Sequence, residues 1–222
     1  MNTLSNVCPS EGGLKPSDVE PYTQHSSPKL RVSGVTLKYA PHPNKSWYVL
    51  RATYGREKKV YDYVIRDGTE AYLPLHYVKK VKNGKSKRVL EPLLPNILFV
   101  YSEKEKVDEY LKRTPELSFL RFYYNRLEKD ASGLNPPLTV GYKEMMNFIE
   151  ATSVDDEHLR VVDLSQCHFK DGDLVRIIDG VFRGVQGRVA RVAGQQRVVV
   201  TIDGLCSIAT AYIPSAFIEK ME

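Results

Sequence analysis

Cysteine is scarce in this chain: Cys8, Cys167 and Cys206 are the only three in 222 residues. Their number is odd, they lie far apart, and no two share a Cys-x-x-Cys spacing, so neither a disulfide framework nor a cysteine-based zinc site is expected. The five histidines, His25, His42, His76, His158 and His168, fall in separate regions without metal-ligand spacing. No apolar run approaches the ~20 residues that cross a bilayer. Met1–Glu20 lacks the cationic start and apolar stretch of a secretion signal. A phosphate loop is missing too: Gly180, Gly184 and Gly187 are followed by neither Lys-Ser/Thr nor a helical pattern, and turn chemistry accounts for them. Carboxylates are spread among lysines, as on solvated helices. These absences predict a protein that is not an enzyme, needs no cofactor or metal, does not enter a membrane, and works in a reducing cytoplasm.

What the chain does have is unevenly placed positive charge. The formal net charge is +5, and residues 46–152 carry 19 basic and 14 acidic residues against 7 and 6 in residues 169–222. Much of the surplus is focused in Lys79-Lys80-Val81-Lys82-Asn83-Gly84-Lys85-Ser86-Lys87-Arg88, with six cations in ten residues. Asn-Gly tolerates the positive φ of a type I′ turn, so this stretch reads as a β-hairpin with a cationic tip. Such a tip suits a polyanionic neighbour.

Residues 1–45 interleave prolines with Ser, Asn and Gly and read as a mobile extension with a short strand over 29–37. Ordered structure is expected from Trp47-Tyr48-Val49, an aromatic and β-branched strand. A helix over 56–66 follows, with Val60, Tyr63 and Val64 on one face and Asp67-Gly68 as its stop. A strand over 70–81, the turn, and a long strand ending at Val100 come next. Ser102-Glu103-Lys104-Glu105 has the spacing of a capping box, leading a helix with Val107, Tyr110 and Leu111 inward. Phe119–Tyr124 reads as a strand, and Tyr142, Met145, Met146 and Ile149 keep helical spacing. The order β-α-β-β-α-β-α predicts an α+β domain over 46–152, a mixed or antiparallel sheet with its helices against one face. Residues 153–168, acidic and unpatterned, read as a linker. From Phe169 the period becomes two, with β-branched strands cut by Asp-Gly and Gly turns, which predicts a small β-barrel over 169–222.

Two stretches carry a family resemblance. Trp47-Tyr48-Val49 opens the first domain and Pro92-x-x-Pro95-x-Ile97-Leu98-Phe99-Val100 closes its hairpin; Phe169 to Val189 looks like a KOW motif. Together, and in this order, they resemble the NusG-type transcription elongation factors, with an NGN-type αβ sandwich, a flexible linker and an SH3-like KOW barrel. The wording Glu91-Pro92-Leu93-Leu94-Pro95-Asn96 is more similar to the specialised RfaH and UpxY antiterminators than to the general factor.

The resemblance implies a monomer that docks on the clamp of RNA polymerase and sustains transcription of a long operon of the capsule or surface-polysaccharide kind. A general elongation factor and a ribosome- or RNA-binding KOW protein are the alternatives. The docking patch would be Leu94, Pro95, Ile97 and Phe99. Upstream or non-template DNA would meet Lys79, Lys80, Lys82, Lys85, Lys87 and Arg88 of the hairpin, and Arg56, Lys58 and Lys59 of the first helix, with Arg56 and Tyr54 as candidate base readers. Phe182 is either a contact of the barrel with a ribosomal protein or termination factor, or a plug of the barrel. The run Val198–Ile202 is β-branched and favours a permanent β-structure over a helical one.

Overall fold

The structure is a computed structural model and describes residues 39–82, 84–154, 156 and 158–221. The strand expected over 29–37 and Asn83 of the hairpin turn lie outside the described residues. The first half of the fold runs β1 (Ser46–Ala52), α1 (Glu57–Arg66), β2 (Glu70–Tyr72), β3 (Leu75–Lys82), β4 (Lys85–Pro92), β5 (Ile97–Ser102), α2 (Lys104–Lys112), β6 (Leu120–Phe122), β7 (Thr139–Val140) and α3 (Tyr142–Thr152). β1 lies inside an antiparallel sheet of order β2-β5-β1-β6, and β7 also pairs with β1.

Side chains alternate across a strand, and here both faces are buried. Tyr48, Leu50 and Ala52 of β1 join Leu98 and Val100 of β5 under Val60 and Val64 of α1 and Val107 and Tyr110 of α2. Trp47, Val49, Phe99 and Tyr101 face the other way, onto Met145, Phe148 and Ile149 of α3. The helices therefore cover both faces, not one. Strands buried on two sides read as continuous apolar runs, and Ile97–Tyr101 is such a run.

Proline and asparagine break the two long strands expected around the hairpin. Leu73-Pro74 separates β2 from β3, and Leu93–Asn96 separates β4 from β5, with Asn96 at φ +64°. Proline contributes no ladder donor, and asparagine tolerates the left-handed region. The capping box does not form: Ser102 stays in β5 opposite Ser46, and Glu103 caps α2 without a side-chain bond.

The second half contains β8 (Arg160–Val162), β9 (His168–Ile177), β10 (Gln186–Val192), β11 (Gln195–Ile202), β12 (Cys206–Ala209) and β13 (Ile218–Lys220). They form one antiparallel sheet of order β13-β9-β10-β11-β12-β8. Ala193 and Gly194, both at positive φ, make the tight turn from β10 to β11. Gly187 has no room for a side chain, since a Cβ there would collide with the Val199 carbonyl.

The segment expected to be a linker is partly built into this sheet. Val161 of β8 pairs with Ile208, and Arg197 donates from Nη1 to the His158 and Thr210 carbonyls at 3.0 and 2.7 Å. Charge and irregular spacing hid a strand of three residues whose partner is remote in sequence. A continuous apolar core then runs from Phe99 through Phe148 of α3 to Ile177, Val198 and Ile202 of the second sheet.

Candidate nucleic-acid and partner-binding surfaces

Among the described residues, β3 and β4 pair only with each other. An isolated two-stranded ribbon is marginal in water, so its base needs support. The Leu93 amide donates to the Pro74 carbonyl at 2.9 Å, and Lys58 of α1 donates to the Leu90 carbonyl at 2.9 Å. Lys58, a candidate DNA contact from the sequence, thus has a structural bond here. Gly84 sits at φ +72°, as the tight turn requires.

The register places cation opposite cation. Lys79 lies across from Arg88, Lys80 from Lys87 and Lys82 from Lys85. Like charges directly opposite on a ribbon destabilise it. Nearer the base, Lys80 also pairs with Glu91, and the Arg88 guanidinium lies over the Tyr77 ring, 4.4 Å from its centroid. Val81 near the tip is 74% exposed. A ribbon whose register sets cation opposite cation gains by meeting a polyanion.

A second cationic group stands at the start of α1. Arg56 lies 4.6 Å from the Phe119 ring centroid and 5.3 Å from that of Tyr54, and Lys59 lies 5.7 Å from Phe119. Tyr54 is held in the left-handed region at φ +64° and is 85% exposed. The loop is fixed from beneath by Asn96, whose Oδ1 accepts from the Gly55 amide and whose carbonyl accepts from the Ala52 amide, both at 2.8 Å. An aromatic ring and a guanidinium displayed on a fixed loop can stack a base beside a phosphate.

The four residues of the expected docking patch do not share one surface. Phe99 is fully buried, 5.4 Å from Phe148 between ring centroids, and is a core residue. Leu94 and Ile97 are buried and Pro95 is exposed. Leu94, Pro95 and Ile97 line a cleft of about 300 Å³ shared with Tyr123 and, from the second sheet, Val161, Leu205 and Cys206. Burial in this contact pushes the Cys206 thiol up to about 12. Polar clasps reinforce it. Asn147 Nδ2 donates to the Gln186 carbonyl and Asn147 Oδ1 accepts from the Gln186 amide, both at 2.7 Å. Glu144 accepts from the backbone of Gly141 and Asp203, while partial burial and the Asp203 charge raise its carboxyl above the usual range.

Phe182 is 1% exposed and packs into the core, so it offers no surface in this arrangement. Val181 beside it is 64% exposed. A turn of alternating apolar residues gives no sequence signal for which of the two points inward. Among the described residues no cluster of His, Cys, Asp or Glu is arranged to hold a metal ion, and no helix is long and apolar enough to cross a membrane.

The αβ sheet with its basic ribbon is similar to a known family. Residues 45–125 match the NusG family model, described as transcription termination factor nusG. Over these residues the chain is similar to the NusG family, whose members are transcription factors. Among curated proteins, the chain is similar to the transcription termination/antitermination protein NusG of Streptococcus pyogenes serotypes M3, M1 and M18. Each is 25% identical over 162 residues, covering 67% of this chain and 82% of the relative.

Proposed function

We propose that the protein is an elongation factor and antiterminator. Its αβ domain docks on the clamp of RNA polymerase, while the β3–β4 ribbon and the 54–59 region lie along DNA at the transcription bubble, in the cytoplasm. The observation that carries this reading is the joint placement, on one NusG-family domain, of three like-charge rungs and the apolar turn at Leu94–Ile97. The second sheet is read as an SH3-like KOW barrel, a separate domain tethered by residues 153–159. Exposed Val181 is then the nearest apolar residue for a ribosomal protein or termination factor. The Glu91–Asn96 wording favours a specialised factor of a long capsule-type operon over the general one.

In the closed arrangement the second sheet covers Leu94 and Ile97, so docking on polymerase requires it to move aside. Binding of the full chain to core polymerase on a transcription-bubble scaffold tests the reading. Pro95→Asp, at the exposed residue of the patch, is expected to weaken it at least tenfold while circular dichroism stays native; unchanged binding would refute this patch. Phe99 is unsuitable for that test because its replacement damages the core.

Opening also has a predicted pH dependence. The closed contact raises the Glu144 carboxyl pKa, so the closed form binds a proton more tightly than the open one. Closure gains as pH falls through that raised pKa, and opening becomes easier as pH rises above it. Small-angle scattering should give a smaller radius of gyration at pH 5 than at pH 8, and Glu144→Gln should flatten the difference.

A further inference from the structure

An open groove of about 680 Å³ lies between α2 and the loop over 125–137, lined by no residue of the ribbon or of the cleft at Leu94. Its apolar lining includes Leu111, Phe122, Tyr124, Leu134 and Pro137. Leu134 is 67% and Tyr124 51% exposed, large apolar surfaces that the fold leaves uncovered. The loop that presents Leu134 is bonded in place. Asp130 Oδ1 accepts from the Ser132 and Leu134 amides at 2.9 and 3.0 Å, and the Asp130 amide donates to the Leu134 carbonyl at 2.8 Å. An exposed leucine fixed in this way loses little freedom on binding.

Charge around the groove selects the occupant. Lys104, Lys112, Arg113 and Arg121 line it, against Asp108 and Asp130. Asp108 is taken by Lys112 at 2.9 Å, and Asp130 is turned into its own loop. Lys104, Arg113 and Arg121 then set the sign of the field. We propose that this groove is a docking site for an extended acidic–apolar segment of a partner protein. The segment's bulky apolar side chains cover Leu111, Phe122 and Leu134, and its flanking carboxylates face the cations. A nucleic acid fits less well, because phosphates gain nothing from the exposed leucine and aromatic surface that lines the groove.

The test uses the full-length protein immobilised against two displayed libraries of short peptides. Both carry leucine or phenylalanine at fixed positions, with glutamate and aspartate between them in one and lysine and arginine in the other. Wild type is expected to retain the acidic set about tenfold over the basic set, a difference of about 1.4 kcal/mol. Leu134→Asp combined with Arg113→Glu should remove that preference without lowering the melting temperature, because both positions are exposed. The ribbon variant Lys80/Lys82/Lys85/Lys87→Gln should keep it, which separates this site from the DNA surface. Equal retention of the two sets, a preference that survives in the double variant, or displacement of bound peptide by single-stranded oligothymidine would overturn the proposal.

Discussion

Phe99→Ala is expected to lower the free energy of unfolding by about 3–5 kcal/mol, the range for removing a buried aromatic ring. Phe99 has no solvent exposure and lies between Phe148 of α3 and Tyr72 of β2, at 5.4 and 6.5 Å between ring centroids. It stands where the αβ sheet, the connecting helix and the second sheet share one core. The ring has no solvent-filled space to vacate, so truncation leaves a cavity as well as forfeiting transfer energy. For a protein of this size each kcal/mol corresponds to about 2–4 °C in melting temperature. Urea unfolding of Phe99→Ala beside Pro95→Ala checks this. The exposed proline should move the midpoint little, and a near-neutral Phe99→Ala would restore Phe99 to a docking surface.

Replacing Lys80, Lys82, Lys85 and Lys87 with glutamine should weaken binding and leave stability nearly unchanged. Each lysine–phosphate pairing that the change removes lowers the slope of log K against log salt by about 0.9, so four of them lower it by about 3–4. Binding to duplex or bubble DNA at low salt should weaken by orders of magnitude, and the gap should close as salt rises. The same change removes the like charges opposed at Lys80 and Lys87 but also the Lys80–Glu91 ion pair, so the melting temperature should hold. Titration at several salt concentrations, with a thermal melt of the same samples, separates the two. A variant that loses affinity by the same factor at every salt concentration would mean that the lysines act through the fold and not through phosphates.

The sequence alone determined the local elements and the sign of the surface. β1, α1 and α3 follow from aromatic and β-branched composition and from helical spacing, because those signals lie within a few residues of one another. The cationic ribbon was legible for the same reason: Asn83-Gly84 sits between two lysine-rich runs, and a hairpin pairs neighbours in the chain. What only the tertiary structure decided is which face each apolar residue occupies and what covers it. Phe99 and Leu94 read alike as apolar residues of one stretch, yet one is core and the other lies at a contact between two sheets. Phe182 and Val181 are adjacent, yet one is buried and one exposed. Lys58 reads as a free helix cation, but its ammonium finds the Leu90 carbonyl, 32 residues away. β8 was invisible because a strand of three residues depends on β12, more than 40 positions later. In each case the deciding partner is distant in sequence, and composition and periodicity carry no record of it.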